Sequence, residues 1–258
     1  MNQEIIAEIT GQDYEATARE ISRSISESLE QSGSRGVIFG MSGGIDSAVL
    51  AYICSTFAKE RTLALIMPDT SVTPEEETHD ALQMISMTGL EHKLIDIKPI
   101  VSEYTMFVEP DEHARGNLRA RVRANLLYYY ANIRGLLVLG SSDKSELQIG
   151  YFTKFGDGAS DLAPISSLYK LQTRGIARHL GVPDRIISKK SSPHLWPDHD
   201  AEGEIGMSYE EVDSILYCKN EKKMTQTETA SMSGIDGQKV SRVWQMCADS
   251  KHKRGTGK

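Results

Sequence analysis

The apolar run Val37-Ile38-Phe39 is followed at once by Gly40-Met41-Ser42-Gly43-Gly44-Ile45-Asp46-Ser47, and then by the helical pattern Ala48-Val49-Leu50-Ala51-Tyr52-Ile53. A buried strand, a Gly-rich turn and a helix start in that order make an anion site. Glycine supplies positive φ and lets the backbone approach a ligand closely. The helix N-terminus offers unpaired N–H groups and a partial positive charge. Ser42 and Ser47 add hydroxyl donors. Asp46 places a carboxylate beside the anion, which is unfavourable unless a cation lies between them, so Mg²⁺ is expected.

The same unit recurs along the chain. Leu63–Met67 reads as a second buried strand stopped by Pro68, His92–Ile97 as a third, and Leu136–Leu139 as a fourth that ends at Gly140. Helical periodicity is predicted at 13–30, from 45 to about 59, from Pro74 to Gly89, at 99–107 and from about 114 to 132. The last of these has its core face at Leu118, Val122, Leu126 and Ile133. Apolar strands alternating with helices predict an α/β fold, a doubly wound parallel sheet flanked by helices. Ligands of such sheets lie beyond the carboxyl ends of the strands, so the loops after Gly40, Pro68 and Gly140 are expected to converge. After residue 150 the pattern changes to a Gly- and Asp-rich loop through Pro164, with helices at 171–180, 208–217 and 236–249 forming a helical C-terminal part. The stretch Ser188–Gly206 has no period, and a loop of that length predicts a lid.

The chain of 258 residues is long enough for one large domain, and we read 1–258 as a single unit. Its net charge of −7 disfavours broad nucleic-acid binding, although Lys251-His252-Lys253-Arg254 is locally basic. No apolar run reaches membrane-spanning length and the N-terminus lacks the form of a signal peptide, so no membrane contact and a cytoplasmic location are expected. Cys54, Cys218 and Cys247 are scattered without metal-ligand spacing, and Cys54 reads as core. Glu75-Glu76-Glu77 reads as a solvated first turn suited to the helix dipole. His79, His92 and His179 read as structural.

No Gly-Lys-Ser/Thr closes the loop, which excludes a Walker motif, and no GxGxxG is present. Ser-Gly-Gly-x-Asp-Ser instead resembles the pyrophosphate loop of the ATP pyrophosphatases, which split ATP between its α and β phosphates. The fourth strand is followed by Ser141-Ser142-Asp143-Lys144-Ser145-Glu146. Alone, Glu146 is a solvated helix acid. Where two strand-end loops meet, it can join Asp46 on Mg²⁺, with phosphate oxygens and water completing the shell. Arg119 and Arg123 share one face of their helix at i, i+4, while Arg121 points elsewhere.

Three further stretches resemble ammonia-dependent NAD synthetases: Asn117-Leu118-Arg119-Ala120-Arg121-Val122-Arg123, Tyr151-Phe152-Thr153-Lys154-Phe155-Gly156-Asp157-Gly158, and His252-Lys253-Arg254. The resemblance covers nearly the whole chain. It implies a homodimer with deamido-NAD at or near the subunit interface, adenylation of the nicotinate carboxylate, release of pyrophosphate, and displacement of AMP by ammonia. It makes Gly40–Ser47 (Gly40, Met41, Ser42, Gly43, Gly44, Ile45, Asp46 and Ser47) the ATP loop, and Asp46 with Glu146 the Mg²⁺ ligands. Ser141, Lys170 and Ser192 match positions that touch ATP. Arg121, Lys154, Asp161, His252 and Lys253 match positions that hold deamido-NAD. Asp157 matches an acid that receives ammonium or its proton, and Asp46, Asp157 and Lys170 form the implied catalytic set.

The chain departs from the archaeal-type pattern at Leu195-Trp196-Pro197-Asp198-His199-Asp200-Ala201-Glu202, where His199 stands at the usual Gln and Ala201 at the usual Asp. Ala124 likewise follows Arg123 where Met is common. Asp200 is a candidate substitute for the missing acid. About forty residues precede the loop, too few for a glutaminase domain, so ammonia itself or a separate donor is expected. The rivals are another ATP pyrophosphatase that amidates or thiolates a nucleotide substrate, and a non-catalytic adenine-nucleotide sensor. Catalytic cysteines are missing for the thiolating enzymes, and both metal acids are present against the sensor.

Overall fold

The computed structural model describes residues 2–196 and 199–255. Its strands are β1 (Gly36–Gly40), β2 (Thr62–Ile66), β3 (Glu91–Leu94) and β4 (Leu136–Leu139), all parallel, in the order β3-β2-β1-β4. The helices are α1 (Gln3–Thr10), α2 (Tyr14–Ser32), α3 (Ile45–Phe57), α4 (Glu75–Thr88), α5 (Lys98–Thr105), α6 (Glu112–Arg134) and α7 (Lys144–Ile149). They continue with α8 (Lys170–His179), α9 (Asp184–Ile187), α10 (Ala201–Ile205), α11 (Tyr209–Asn220), α12 (Gln226–Ser233), α13 (Gly237–Asp249) and α14 (Lys251–Arg254). The parallel α/β architecture expected from the sequence is the observed one. Among the described residues, no helix is long and apolar enough to cross a membrane.

The sheet is buried on both faces. Val37 and Phe39 pack with Ile21, Ile25 and Leu29 of α2 and with α3, while Ile38, Leu63, Leu65 and Val138 pack against α5 and α6. Each large apolar side chain so withdrawn from water contributes about 1.5–3 kcal/mol. The side chain of Asp13 caps α2 by accepting from Ala16 N, and Gly33 ends the helix at φ +67°. A separate core joins α1, α7 and α10–α13 around Tyr209, Val212, Ile215, Leu216 and Val240. Strand order reverses between β1 and β4, and the loops after these two strands open beside each other there.

Two sequence readings need correction. β3 is not an apolar run: Glu91-His92-Lys93-Leu94 is a short, largely exposed edge strand, whose charged side chains suit an unprotected edge. The core face of α6 departs from the reading at one position: Val122 is buried and Leu118 and Leu126 pack against the sheet core, but Ile133 does not. Ile133 is 62% exposed, and the buried set is Gly116, Arg119, Ala120, Val122, Ala124 and Ala131. Small residues bring this helix close to the sheet and to the loop after β4, and two arginines are drawn inward by ionic and carbonyl partners. Helices α1, α7, α9, α10, α12 and α14, none longer than eight residues, have no counterpart in the sequence reading. Cys54 is fully buried as expected, and burial pushes its thiol up to about 12.

Candidate active site

The turn between β1 and α3 is held by its own hydroxyls. Ser42 N donates to Ser47 Oγ at 3.2 Å, Gly44 N donates to Ser42 Oγ at 3.2 Å, and Ser47 Oγ donates to Gly44 O at 2.9 Å. Gly43 has φ +86°, and a Cβ there would lie 2.4 Å from the carbonyl oxygen of Glu77. The turn therefore requires glycine on conformational and steric grounds. Gly40, Met41, Ser42, Gly44, Ile45 and Asp46 line a cavity of about 290 Å³ beyond the strand ends, whereas Ser47 is buried and braces the turn from behind. Ser141, Glu146, Asp157 and Ser192 line the same cavity, so the strand-end loops converge as expected.

Lys170, at the start of α8, is completely buried beneath this cavity. Its Nζ donates to both oxygens of Asp46 at 2.9 and 2.8 Å and to Glu146 Oε1 at 2.9 Å, and it lies 2.9 Å from Asp143 Oδ2. Burial alone would push the ammonium down, but the three carboxylates hold it well above the usual lysine range. Burial, reinforced by the neighbouring acids, pushes the carboxyl of Glu146 well up, and that of Asp143 rises for the same reason. Asp143 escaped the sequence reading, although Asp143-x-x-Glu146 has capping-box spacing and caps α7 in that way. Behind them Asp213 accepts from Ser145 Oγ and from Leu171 N, the latter at 2.8 Å, which fixes the starts of α7 and α8 together.

Asp46 and Glu146 suit Mg²⁺. Both are hard oxygen donors, both point at one spot, and their side chains keep 21% and 18% exposure toward the cavity. Among the described residues, no group of three or more His, Cys, Asp or Glu is arranged to hold an ion unaided. The donor set thus fits an ion whose remaining ligands come from phosphate and water.

The opposite wall is the loop 151–162, laid over α6. Gly156 sits so close to Ala120 that a Cβ would lie 2.9 Å from the alanine's own. Thr153 Oγ1 donates to Asn117 Oδ1 at 2.8 Å, and Thr153 N donates to Asp157 Oδ1 at 2.8 Å. The Asp157 residue keeps an open surface, yet crowding of the carboxyl by the cleft pushes its pKa up. A raised carboxyl facing a cavity is suited to exchanging a proton with a bound base.

The third wall is the segment 188–196, which with His199 binds the molecule at three places. Lys189 bridges Glu77 and Asp80 of α4, and His194 Nε2 lies 3.1 Å from Glu77 Oε1. Although burial works the other way, these two partners hold the Glu77 carboxyl below its ordinary value. The reading of Glu77 as solvated is therefore wrong, while Glu75 and Glu76 are exposed as expected. Arg119, only 2% exposed, donates to Asp69 Oδ2 at 2.7 Å, to Glu112 Oε1 at 2.9 Å and to Leu195 O at 2.6 Å. Arg123 donates to Met67 O at 2.9 Å, and burial lowers its pKa to about 10. Arg119 and Arg123 share an inward face and Arg121 points away, as the i, i+4 spacing predicted. Ser192 Oγ donates to His199 O, Ala201 is buried in the C-terminal core, and Asp200 stands at the N-cap position of α10 without a side-chain capping bond. Pro197 and Asp198 lie outside the described residues.

The remaining implied substrate residues lie outside the cavity. Arg121 Nε donates to Lys154 O at 3.3 Å, and one face of α6 continues to Tyr128, whose hydroxyl donates to Asp161 Oδ1 at 3.1 Å. Asp161 Oδ2 also accepts from Val138 N at 2.8 Å on the outer edge of β4. Lys253 Nζ donates to Gly150 O and Phe152 O at 2.8 and 2.9 Å, which ties α14 to the loop carrying Asp157. His252 is exposed, with Nδ1 2.9 Å from Asp249 O. His79, His92 and His179 are exposed and away from the cavity.

A glycine turn at the end of an inner strand, with paired acids beside it and a buried lysine beneath them, places the molecule among nucleotide-binding α/β proteins of the ATP pyrophosphatase type. Residues 17–257 match the NAD synthase family. The chain is 51% identical over 250 residues to the NH(3)-dependent NAD(+) synthetase of Hyperthermus butylicus, covering 96% of this chain and 91% of that one. Among solved structures, NMN synthetase from Francisella tularensis superposes with a TM-score of 0.84 at 30% identity, over 96% of this chain and 98% of that one. The NH3-dependent NAD synthetase from Campylobacter jejuni gives a TM-score of 0.82 at 29% identity, over 96% and 98% of the two chains. The chain belongs to the NAD synthase family.

Proposed function

We propose that this chain catalyses the ATP-dependent amidation of deamido-NAD by ammonia, releasing AMP and pyrophosphate, as the last step of NAD biosynthesis. The observation that carries the reading is the single cavity in which Gly40–Asp46, the Lys170–Asp46–Glu146 cluster and Asp157 face one another. A carboxylate is a poor electrophile until coupling to AMP gives it a leaving group. The backbone N–H groups of the turn that are not spent on its own hydroxyls, with the start of α3, receive the pyrophosphate portion. Lys170 supplies fixed positive charge next to the α-phosphate, where charge builds in the transition state. Mg²⁺, held by Asp46 and Glu146, would neutralise phosphate charge and strengthen the leaving group. Ser141 and Ser192 add hydroxyl donors to ATP from two walls. Asp157 holds ammonium and takes its proton, because ammonium has no lone pair for attack. The segment 188–196 covers the cavity and keeps water from the adenylate.

The surface carrying Arg121, Lys154 and Asp161, with His252 and Lys253 across the loop, receives deamido-NAD, and its position at the edge of β4 suits completion by a second subunit in a homodimer. The chain acts as one domain in the cytoplasm with free ammonia as nitrogen donor. Incubation with ATP, Mg²⁺ and deamido-NAD, plus ammonium or glutamine, tests the reading. NAD, AMP and pyrophosphate should form in equal amounts with ammonium and not with glutamine. A parallel assay on the mononucleotide acid checks substrate length, given the Francisella relative. Absence of ATP cleavage under all conditions would refute the assignment.

A further inference from the structure

We propose that His199 is a positioning residue that locks the segment 188–196 over the cavity only while its ring is neutral, so that acid unlocks the segment and weakens nucleotide binding. This rests on the nucleotide reading of the cavity. His199 is 5% exposed and is held on every side. Leu195 N donates to its Nδ1 at 3.3 Å, so that nitrogen must carry a lone pair. The proton therefore sits on Nε2, which donates to Glu204 Oε2 of α10 at 2.8 Å. The Tyr151 hydroxyl lies 2.9 Å from the same Nε2 and donates to the same Glu204 oxygen at 2.9 Å. One ring face stacks on Trp196 with centroids 3.6 Å apart and planes 15° apart.

Trp196 passes this hold to α6. Its edge meets His113 at 4.6 Å between centroids, and its ring lies so close to Gly116 that a Cβ there would come within 3.0 Å. Arg119 grips the adjoining Leu195 carbonyl. The backbone carbonyl of His199 accepts from Ser192, which lines the cavity. One ring thus joins α6, α10 and Tyr151 to the cavity wall.

A second proton could enter only at Nδ1, where it would confront the Leu195 N–H, donor against donor. The groups facing the ring are Glu204 from α10, Tyr151 from the loop after α7, His194 from its own segment and His113 from α6. Of these only Glu204 favours the imidazolium. Burial outweighs Glu204, and the two histidines add to burial, so the ring is held below its ordinary value. The locked state therefore binds fewer protons than the released one. Locking is complete above the ordinary histidine range and is lost as pH falls through the lowered value.

Two measurements test this. First, the dissociation constant of a non-hydrolysable ATP analogue is measured at about pH 8 and about pH 5.5 in the wild type and in His199→Gln, whose amide nitrogen can replace Nε2 but cannot titrate. ATP's own terminal phosphate titrates in this window, so each variant's acid-to-neutral ratio is the quantity compared. The wild-type ratio should exceed that of His199→Gln by about threefold or more, within the limit of tenfold per pH unit for one proton. Second, Trp244→Phe leaves Trp196 as the one tryptophan of the chain. Its emission, quenched by a stacked imidazolium, should titrate with a midpoint that nucleotide moves to lower pH. Equal ratios in the two proteins, or a Trp196 midpoint indifferent to nucleotide, would overturn the lock while leaving the nucleotide site standing. Failure of the analogue to bind at any pH would overturn the nucleotide reading and the lock with it.

Discussion

Replacing Lys170 by methionine removes the one cation among Asp46, Asp143 and Glu146. The side chain is fully buried and its Nζ is within 2.8–2.9 Å of oxygens from all three acids. Removing one partner of a buried pair costs about 3–5 kcal/mol, because the other charge is left uncompensated. Three abandoned acids do not triple that figure. Asp46 and Glu146 keep an edge toward the cavity and can draw water, whereas the Asp143 side chain is 0% exposed and cannot. The cost is therefore about that of one broken pair, roughly 4 kcal/mol, or about 10 °C in melting temperature for a chain of this size.

The pH dependence has a definite sign. Without the ammonium, the carboxyls of Asp143 and Glu146 rise further above values that burial already raises. The folded variant then holds protons that the unfolded chain releases, so its deficit grows with rising pH and shrinks toward acid. Mg²⁺ should restore part of the loss, by supplying positive charge between the acids. Thermal denaturation followed by circular dichroism at about pH 5 and about pH 8, with and without Mg²⁺, measures each quantity. A variant melting within about 2 °C of the wild type at the higher pH without Mg²⁺ would refute the account of Lys170 as the counterion of a buried acid cluster.

Gly43→Ala should abolish binding of an ATP analogue in calorimetry, because the new Cβ meets the Glu77 carbonyl at a positive φ; unchanged affinity would show that the turn is not constrained there. Arg119→Met should lower stability in a denaturant titration by about 3–5 kcal/mol, since it leaves Asp69 buried and unpaired, and should loosen the segment at Leu195 in proteolysis. Asp157→Asn should leave AMP and pyrophosphate formation in place while NAD formation falls by about 10²-fold or more, read by quantifying all three products. Burial raises Asp213 from 3.8 to about 7, so its contribution to stability falls as pH climbs between those values. Asp213→Asn removes that slope, and its melting temperature relative to wild type should improve between about pH 4.5 and about pH 8, by an equivalent of up to about 4 kcal/mol.

The sheet and its loop were legible because local signals and burial agree there. Val37-Ile38-Phe39 is apolar throughout since both faces of β1 are covered, and Gly43 is glycine since its φ and the Glu77 carbonyl permit nothing else. Where long-range pairing overrides local character, the reading failed. Glu77 looks like a helix-dipole acid and is one by position, but Lys189, more than a hundred residues on, turns it inward. Arg119 looks like part of a solvated basic face until Asp69 is placed beside it. Asp213 carries no motif of its own and Asp143 only that of a helix cap, and their meaning comes from sharing Lys170 and its helix start with Glu146 and Ser145.

The strap formed by residues 188–196, with His199 and Asp200, lies between two cores, which explains why so many charged groups gather along it. It leaves α9, whose Ile186 and Ile187 belong to the core beside the sheet, and enters α10, whose Ala201 and Ile205 belong to the C-terminal core. A strap between two cores is short of apolar partners of its own, so polar contacts must set its position: Lys189 and His194 on α4, Leu195 O on Arg119, and His199 on Glu204 and Tyr151. Each of these depends on charge or protonation, and together they surround the cavity where a polyanion would enter. An anionic ligand that draws Lys189 toward itself weakens the hold on Glu77 while it tightens the strap elsewhere. Any closure of this strap on a polyanion would therefore exchange ionic partners among α4, α6 and α10, and it should respond to salt and pH more than to temperature.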